Sequence, residues 1–197
     1  MSNESIRLFQ LFISASLINN FVFTRFLGLC IFFGVSKKME TAIGMSITFT
    51  AVMVISSAIS WFLFNYLMIP MNITFLKIVV FIGVVATFVQ ASDTIMRKVA
   101  PTLYYKLGVY LALIATNCII LAVPLISSDE GYSFIETLVF GLGSGLGFGL
   151  ALTIMASIRE KLELSIVPRP FQGLPIAFIV TGLIALAFTG FSGLLTL

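Results

Sequence analysis

Long apolar stretches are the feature that most constrains what this chain can fold into. They cover residues 6–35, 41–69, 73–95, 105–126, 134–157 and 174–196. A helix needs about 20 mostly apolar residues to cross the hydrocarbon layer of a membrane. Hydrophobic residues make up 59% of the chain and charged residues only 10%, which leaves too little polar surface for a water-soluble globule. We therefore predict an integral membrane protein in which residues 1–197 form a single transmembrane domain.

The six spans are predicted to be helices. Lipid cannot satisfy backbone N–H and C=O groups, so only helices and closed barrels cross a membrane. A barrel would show short strands of alternating hydrophobicity, whereas these apolar runs are long and uninterrupted. The predicted fold class is therefore all-α, with six transmembrane helices joined by short loops that contain no soluble domain.

The basic residues predict an orientation. The loops after the first, third and fifth spans carry Lys37, Lys38, Arg97, Lys98, Lys106, Arg159, Lys161 and Arg169, and those after the second and fourth carry none. Cytoplasmic loops are enriched in Lys and Arg, so both termini are expected outside. Arg7 and Lys77 run against this pattern. The net positive charge of the chain is then explained by its cytoplasmic loops, and no nucleic-acid partner is expected.

The two halves of the chain show a weak internal symmetry. Asn20 precedes Glu40 by 20 residues, and Asn117 precedes Glu136 by 19. Three spans are an odd number, so a second copy would be inserted upside down relative to the first, as in inverted-repeat transporters. We therefore predict an inverted 3+3 repeat, with half-repeats at residues 1–104 and 105–197.

Polar residues inside the first and fourth spans predict broken helices. The first span contains Asn19, Asn20 and Arg25, and the fourth contains Asn117 and Pro124. Such groups are costly in lipid unless they face protein or a cavity. Paired breaks in inverted halves predict a site near the midplane. The alternative is that these residues only form hydrogen bonds between neighbouring helices.

Cys30 and Cys118 are the two cysteines, and both fall inside predicted spans. Free cysteine is among the most buried residue types, so spacing alone predicts two small buried hydrophobes. The alternative is that they form half of the four-cysteine ligand set of an iron–sulfur cluster, which a second chain would complete.

Other motifs predict packing rather than chemistry. Glycine occupies every second position from 141 to 149, which indicates close helix packing within the fifth span. Glu40 and Glu136 are predicted as first-turn acids. Asp93 is predicted to be a helix-end residue that faces interfacial water or pairs with Arg97 at i+4, the alternative being a place in an ion path. The chain has no histidine, no phosphate-binding glycine loop and no Ser/His/Asp set.

Several segments resemble the A-type subunits of the bacterial Rnf complex, within the Rnf/Nqr family of membrane subunits. They are Asn19-Asn20-Phe21-Val22, Phe26-Leu27-Gly28-Leu29-Cys30, Gly34-Val35-Ser36-Lys37-Lys38, Glu40-Thr41-Ala42, Leu107-Gly108, Thr116-Asn117-Cys118, Ile158-Arg159-Glu160-Lys161, Val167-Pro168 and Gly190-Phe191-Ser192-Gly193-Leu194. The E-type subunit of the sodium-pumping NADH:quinone oxidoreductase is similar in the same places. The segments run along nearly the whole chain.

The resemblance implies a non-autonomous subunit of a redox-driven ion translocase, a ferredoxin:NAD oxidoreductase of the bacterial inner membrane. It implies that electron relay is coupled to transport of Na⁺ or H⁺. It also implies that Cys30 and Cys118 ligate a [2Fe-2S] cluster shared with a homologous, oppositely oriented E-type subunit. The alternatives are a secondary transporter or small-solute carrier with incidental cysteines, and a structural scaffold. Bound iron would separate the redox function from both.

Overall fold

The computed structural model describes residues 3–71, 74–99, 114, 117–165 and 167–190, and every regular element within them is helical, as predicted. The α-helices are α1 (Asn3–Ile13), α2 (Phe21–Arg25), α3 (Leu29–Val35), α4 (Met39–Leu63), α5 (Lys77–Val99), α6 (Cys118–Asp129), α7 (Phe134–Glu163) and α8 (Leu174–Thr189). The π-helical turns Ser14–Ile18 and Phe64–Met68 extend α1 and α4, and the 3-10 turns Thr74–Leu76 and Arg169–Phe171 precede α5 and α8.

Three described helical stretches are long and apolar enough to cross a membrane. They are Met39–Met68, Thr74–Ala91 and Phe134–Glu163, and they correspond to the predicted second, third and fifth spans. Helices α6 and α8 are apolar but shorter, with 12 and 16 residues. Most of the fourth predicted span before Cys118, and residues 191–196 of the sixth, lie outside the described residues.

Helices α4 and α7 form the most extensive contact in the fold. A Cβ built on Gly145 would lie 2.9 Å from the Cα of Thr50, and one on Gly149 would lie 3.0 Å from the Cβ of Ser46. Any side chain there would force the helices apart, because such separations are shorter than van der Waals contact. The prediction that the alternating glycines serve close helix packing is confirmed.

The same glycine run also receives the N-terminal segment. A Cβ on Gly147 would lie 2.7 Å from the carbonyl oxygen of Ser16, and one on Gly143 would lie 3.0 Å from that of Phe12. The α1 helix and its π turn therefore pack backbone to backbone on α7. Small residues permit such approach in membrane helices, where packing rather than hydrophobic transfer drives association.

Helix α7 is longer than the sequence predicted. The segment from Arg159 was expected to form a loop, but the helix continues to Glu163, and only 8% of Arg159 is exposed. No glycine or proline interrupts the chain before Pro168, so nothing stops the helix at residue 159. The Arg159 guanidinium donates a hydrogen bond of 2.9 Å to the carbonyl oxygen of Phe33 at the end of α3.

The two cations that ran against the basic-loop pattern are both paired. Arg7 Nε lies 3.1 Å from Glu136 Oε1, and Lys77 forms an ion pair with Asp129. Both pairs lie where α6 ends and α7 begins, which we call the α6–α7 end. Glu136 also completes a capping box with Ser133, so its prediction as a first-turn acid is confirmed.

Two further acid predictions have different outcomes. Glu40 lies in the first turn of α4, as expected. Asp93 and Arg97 belong to α5, but their side chains lie outside the described residues, so their pairing stays a prediction.

Candidate cofactor site at the helix breaks

The first predicted span is broken, as its polar residues indicated. The π turn ends at Ile18, and Asn20 is extended with φ −62° and ψ 115°. After the single turn of α2, Phe26 and Gly28 both adopt left-handed backbone conformations, with φ of 54° and 72°. Helix α3 then begins at Leu29. Residues 3–35 therefore form three separate helices and a π turn, not one continuous helix.

Asn20 holds this break together. Its side chain is 1% exposed, and its Oδ1 accepts a hydrogen bond of 3.1 Å from the backbone N–H of Val22 in the first turn of α2. Its Nδ2 donates to the carbonyl oxygen of Gly147 at 2.7 Å and to that of Ser16 at 3.3 Å. The amide therefore caps the half-helix after the break and also bonds a neighbouring helix, and the site near the midplane stays a prediction.

Arg25, the other polar residue of this span, ends α2 and is exposed. Its guanidinium carbon lies 5.8 Å from the centroid of the Phe21 ring, within the range of a cation–π contact. The charge is therefore on the surface of the fold and does not enter the break.

Asn117 has the matching role in the second half. It is extended with φ −74° and ψ 124°, and its Oδ1 accepts a hydrogen bond of 2.8 Å from the backbone N–H of Ile119. Helix α6 begins at Cys118, directly after this cap. Residues 115 and 116 lie outside the described residues, so only the second side of this break is visible. The Nδ2 of Asn117 is buried without a hydrogen-bond partner among the described residues.

Gly28 brings the two cysteine-bearing turns together. A Cβ at this position would lie 2.8 Å from Cδ1 of Ile119 and 3.1 Å from Oδ1 of Asn117. The left-handed φ of 72° also favours glycine. The turn before Cys30 therefore packs directly against the residues on either side of Cys118.

Both cysteines are free and exposed, so the prediction that they are buried hydrophobes is wrong. Cys30 is the second residue of α3, and Cys118 is the first residue of α6. The residues that follow them, Ile31 and Ile119, are 0% exposed and fill the core, which leaves the thiols on the outer surface.

The thiols have few other possible ligands beside them. Within the described ranges, no group of three or more His, Cys, Asp or Glu side chains is placed to hold a metal ion. A cavity of about 790 Å³ adjoins Cys30, between α3, the end of α7 and the loop before α8, and its lining includes Lys37, Arg159 and Glu163. Cys30 therefore lies beside a partly basic cavity, whereas Cys118 does not line it.

Comparison with known proteins identifies the family. A family model described as Rnf-Nqr subunit, membrane protein, matches residues 8–195. This chain belongs to the Rnf-Nqr family. The resemblance predicted from the sequence is confirmed.

Curated relatives of this Rnf-Nqr chain match over almost its whole length. The A-type subunit of the proton-translocating ferredoxin:NAD(+) oxidoreductase complex of Clostridium ljungdahlii is 53% identical over 187 residues, which cover 95% of this chain and 97% of that protein. The A-type subunit of the ion-translocating oxidoreductase complex of Aeromonas salmonicida is 48% identical over 185 residues, covering 94% and 96%. That of Syntrophotalea carbinolica is 48% identical over 187 residues, covering 95% and 97%.

Sequence reasoning missed two residues of the site. Gly28 stood in a segment that carries the family resemblance, but its contact with the second half depends on the fold. Arg159 was assigned to a loop, although the absence of a helix breaker before Pro168 was a signal that it continues α7.

Proposed function

We propose that this chain is the A-type membrane subunit of an ion-translocating ferredoxin:NAD oxidoreductase of the bacterial inner membrane. In this proposal Cys30 and Cys118 hold a [2Fe-2S] cluster together with two cysteines of a homologous, oppositely oriented E-type subunit. The observation that carries it is the contact of Gly28 with Asn117 and Ile119, which joins two turns that each present an exposed thiol.

The residues present fit such a cluster. Four cysteine thiolates normally hold a [2Fe-2S] cluster, and two exposed thiols supply half of that set at a surface that a second subunit can reach. The buried Nδ2 of Asn117 is a donor without a described partner, directly before Cys118. Hydrogen bonds to the sulfurs are one means by which proteins set the potential of such clusters.

When bound, a [2Fe-2S] cluster accepts and releases one electron. The chain's own residues keep its two ligands in place. Asn20 and Asn117 cap the half-helices, and Gly28 lets the two turns touch. Arg159 donates to the carbonyl of Phe33 and so fixes the other end of the helix that carries Cys30. Electron transfer could drive transport only if the cluster's charge states interact differently with two conformations of these turns.

The proposed architecture is six transmembrane helices in an inverted 3+3 repeat, with halves at residues 1–104 and 105–197. The matched cap geometry of Asn20 and Asn117 supports it, because the two asparagines occupy equivalent places and bond the same backbone position two residues on. Both termini are proposed to lie outside. The cations on that side, Arg7 and Lys77, form ion pairs with Glu136 and Asp129. The unpaired positive charge is therefore expected in the opposite, cytoplasmic loops.

The test is the iron content and the low-temperature EPR spectrum of the complex that contains this chain and its partner subunit, purified anaerobically. Wild type is compared with Cys30→Ser and Cys118→Ser, and with Thr87→Ser as a conservative control at an exposed hydroxyl on α5. We expect each cysteine variant, but not the control, to lose the reduced [2Fe-2S] signal of this site. An active wild type with no iron at this site would contradict the proposal and favour the carrier function.

A further inference from the structure

A second site lies at the α6–α7 end, apart from the cysteines. There a partly open cavity of about 140 Å³ is lined by the last turns of α4, Phe81 of α5, the end of α6 and the start of α7. Four of the hydroxyl groups that line it are at most 3% exposed and have no hydrogen-bond partner among the described residues. They belong to Ser57, Ser60, Ser127 and Thr137. We call it the hydroxyl cavity.

Several hydroxyl groups elsewhere in the same helices are satisfied within the helix, although Ser56 of α4, which does not line the cavity, is also buried without a partner among the described residues. Ser46 in α4 donates to the carbonyl oxygen of Ala42 at 2.7 Å, and Ser144 in α7 donates to that of Phe140 at 2.8 Å. This back-bonding is the usual solution for serine and threonine in membrane helices. The four hydroxyls of the cavity do not use it, and a buried polar group without a partner is costly. They therefore indicate a polar occupant.

The electrostatic surroundings favour a cation. The C-terminal end of α6 lies at the cavity and carries partial negative charge. The N-terminus of α7 is also near, but the Ser133 and Glu136 side chains cap it. Tyr132 lines the cavity from the loop, and its pKa is raised by burial and by the charges of Glu130 and Glu136. Burial is the larger cause of this rise, and the carboxylates of Glu130 and Glu136, which add to it, favour a cation near the loop.

The ligand chemistry favours a monovalent metal ion over a divalent ion or a proton. None of the described lining residues carries a carboxylate, whereas divalent Ca²⁺ and Mg²⁺ sites normally use carboxylates. Tyr132 is the one titratable side chain among them, and a raised pKa keeps its proton in place at neutral pH. A water molecule needs about 10–15 Å³ of such a cavity, so there is room for an ion with several waters.

We propose that the hydroxyl cavity binds a partly hydrated Na⁺ ion, with the oxygens of Ser57, Ser60, Ser127 and Thr137 as direct or water-mediated ligands. The role of this ion in transport rests on the proposed ion-translocating function. Binding of the ion at this site does not depend on the iron–sulfur cluster. In the predicted orientation the cavity lies toward the outer surface, where a transported ion would leave.

The experiment measures binding of radioactive Na⁺ to the purified complex, with NaCl exchanged for choline chloride at constant ionic strength and fixed pH. The midpoint of thermal unfolding is recorded in the same series, because a ligand that binds the folded state raises it. Thr137→Val removes one oxygen without changing the side chain's shape. Thr181→Val is the matched control, because Thr181 is equally buried but donates to the carbonyl oxygen of Ala177 at 2.7 Å and does not line the cavity.

We expect Thr137→Val to weaken Na⁺ binding about tenfold, as for loss of one buried polar interaction, and Thr181→Val to leave it unchanged. If the complex does not assemble with Thr137→Val, Ser60→Ala is used in its place, with Ser144→Ala as the control. Equal Na⁺ affinity in variant and control, or no Na⁺ binding by wild type, would overturn the proposal, because the cavity would then hold water only. A response to pH without a response to Na⁺ would also overturn it.

Iron content is measured on the same samples. Wild type with the cluster but without Na⁺ binding refutes only the hydroxyl cavity as an ion site. Wild type without iron that still binds Na⁺ in a Thr137-dependent way refutes only the cluster. We expect Cys30→Ser to lose the cluster and to keep Na⁺ binding.

Discussion

Gly28→Ala is the most direct perturbation of the contact between the two cysteine-bearing turns. Alanine would have to adopt a φ of 72°, and a left-handed conformation costs a non-glycine residue about 1–2 kcal/mol. Its Cβ would also lie 2.8 Å from Cδ1 of Ile119 and 3.1 Å from Oδ1 of Asn117. Overpacking of this kind adds about 1–3 kcal/mol, so the free energy of unfolding should fall by about 2–5 kcal/mol.

The way the clash is relieved decides the functional effect. The Ile119 side chain ends in a methyl group that can rotate away. Asn117 Oδ1 is fixed, because it accepts the hydrogen bond from the backbone of Ile119 that caps α6. Moving it displaces the first turn of α6 and, with it, Cys118. We therefore expect iron per complex to fall along with the midpoint of thermal unfolding.

Gly131→Ala separates the two contributions. Gly131 has a φ of 65°, but a Cβ there would meet nothing within 4 Å. Gly131→Ala should therefore lower the free energy of unfolding by the backbone strain alone, about 1–2 kcal/mol, and the complex should keep its wild-type iron content. If Gly28→Ala kept wild-type iron and lost no more stability than Gly131→Ala, the contact would not position the cysteines, and the reasoning would be refuted.

Three further predictions concern the contacts that support the site. Gly147→Ala should lower the free energy of unfolding of the complex by about 1–3 kcal/mol, measured by thermal unfolding. Gly182→Ala is the control and should be neutral, because a Cβ there meets nothing within 4 Å. Equal effects of the two substitutions would contradict the packing argument. Asn20→Ala removes a helix cap and the 2.7 Å hydrogen bond to α7, so the free energy of unfolding should fall by about 2–4 kcal/mol and iron should be lost. Wild-type iron content and stability in this variant would show that the helix break does not depend on the Asn20 side chain. Arg159→Ala leaves the Phe33 carbonyl without its hydrogen-bond donor, so the free energy of unfolding should fall by about 1–3 kcal/mol in the thermal unfolding assay. Arg159→Lys should lower it by less.

Sequence reasoning predicted the break of the first span because its evidence was local. Two adjacent amides in an apolar run leave few possibilities in lipid, and Asn20 does cap a half-helix. The glycine run was equally informative, because alternating glycines at a helix contact have no other common role. Family and helical class were likewise predictable from short segments and from the apolar runs.

The direction in which side chains point was not predictable from spacing. Cys30 and Cys118 fall inside predicted spans, which favoured burial, but the first turn of each helix directs the thiol outward and the next residue inward. The contact of Gly28 with Asn117 joins residues far apart in the chain, so no local pattern contains it. The hydroxyl cavity likewise combines side chains from α4, α6 and α7.

The broken first segment has a consequence for how the protein is made. The amide of Asn20 finds its acceptor at Gly147, and the carbonyl of Phe33 finds its donor at Arg159, 127 and 126 residues further along the chain. During synthesis these polar groups leave the ribosome long before their partners do, and lipid offers no substitute. The N-terminal segment must therefore wait, held by the insertion machinery or at the membrane surface, until α7 arrives. Translation that stopped before residue 147 would leave a segment that cannot complete its fold.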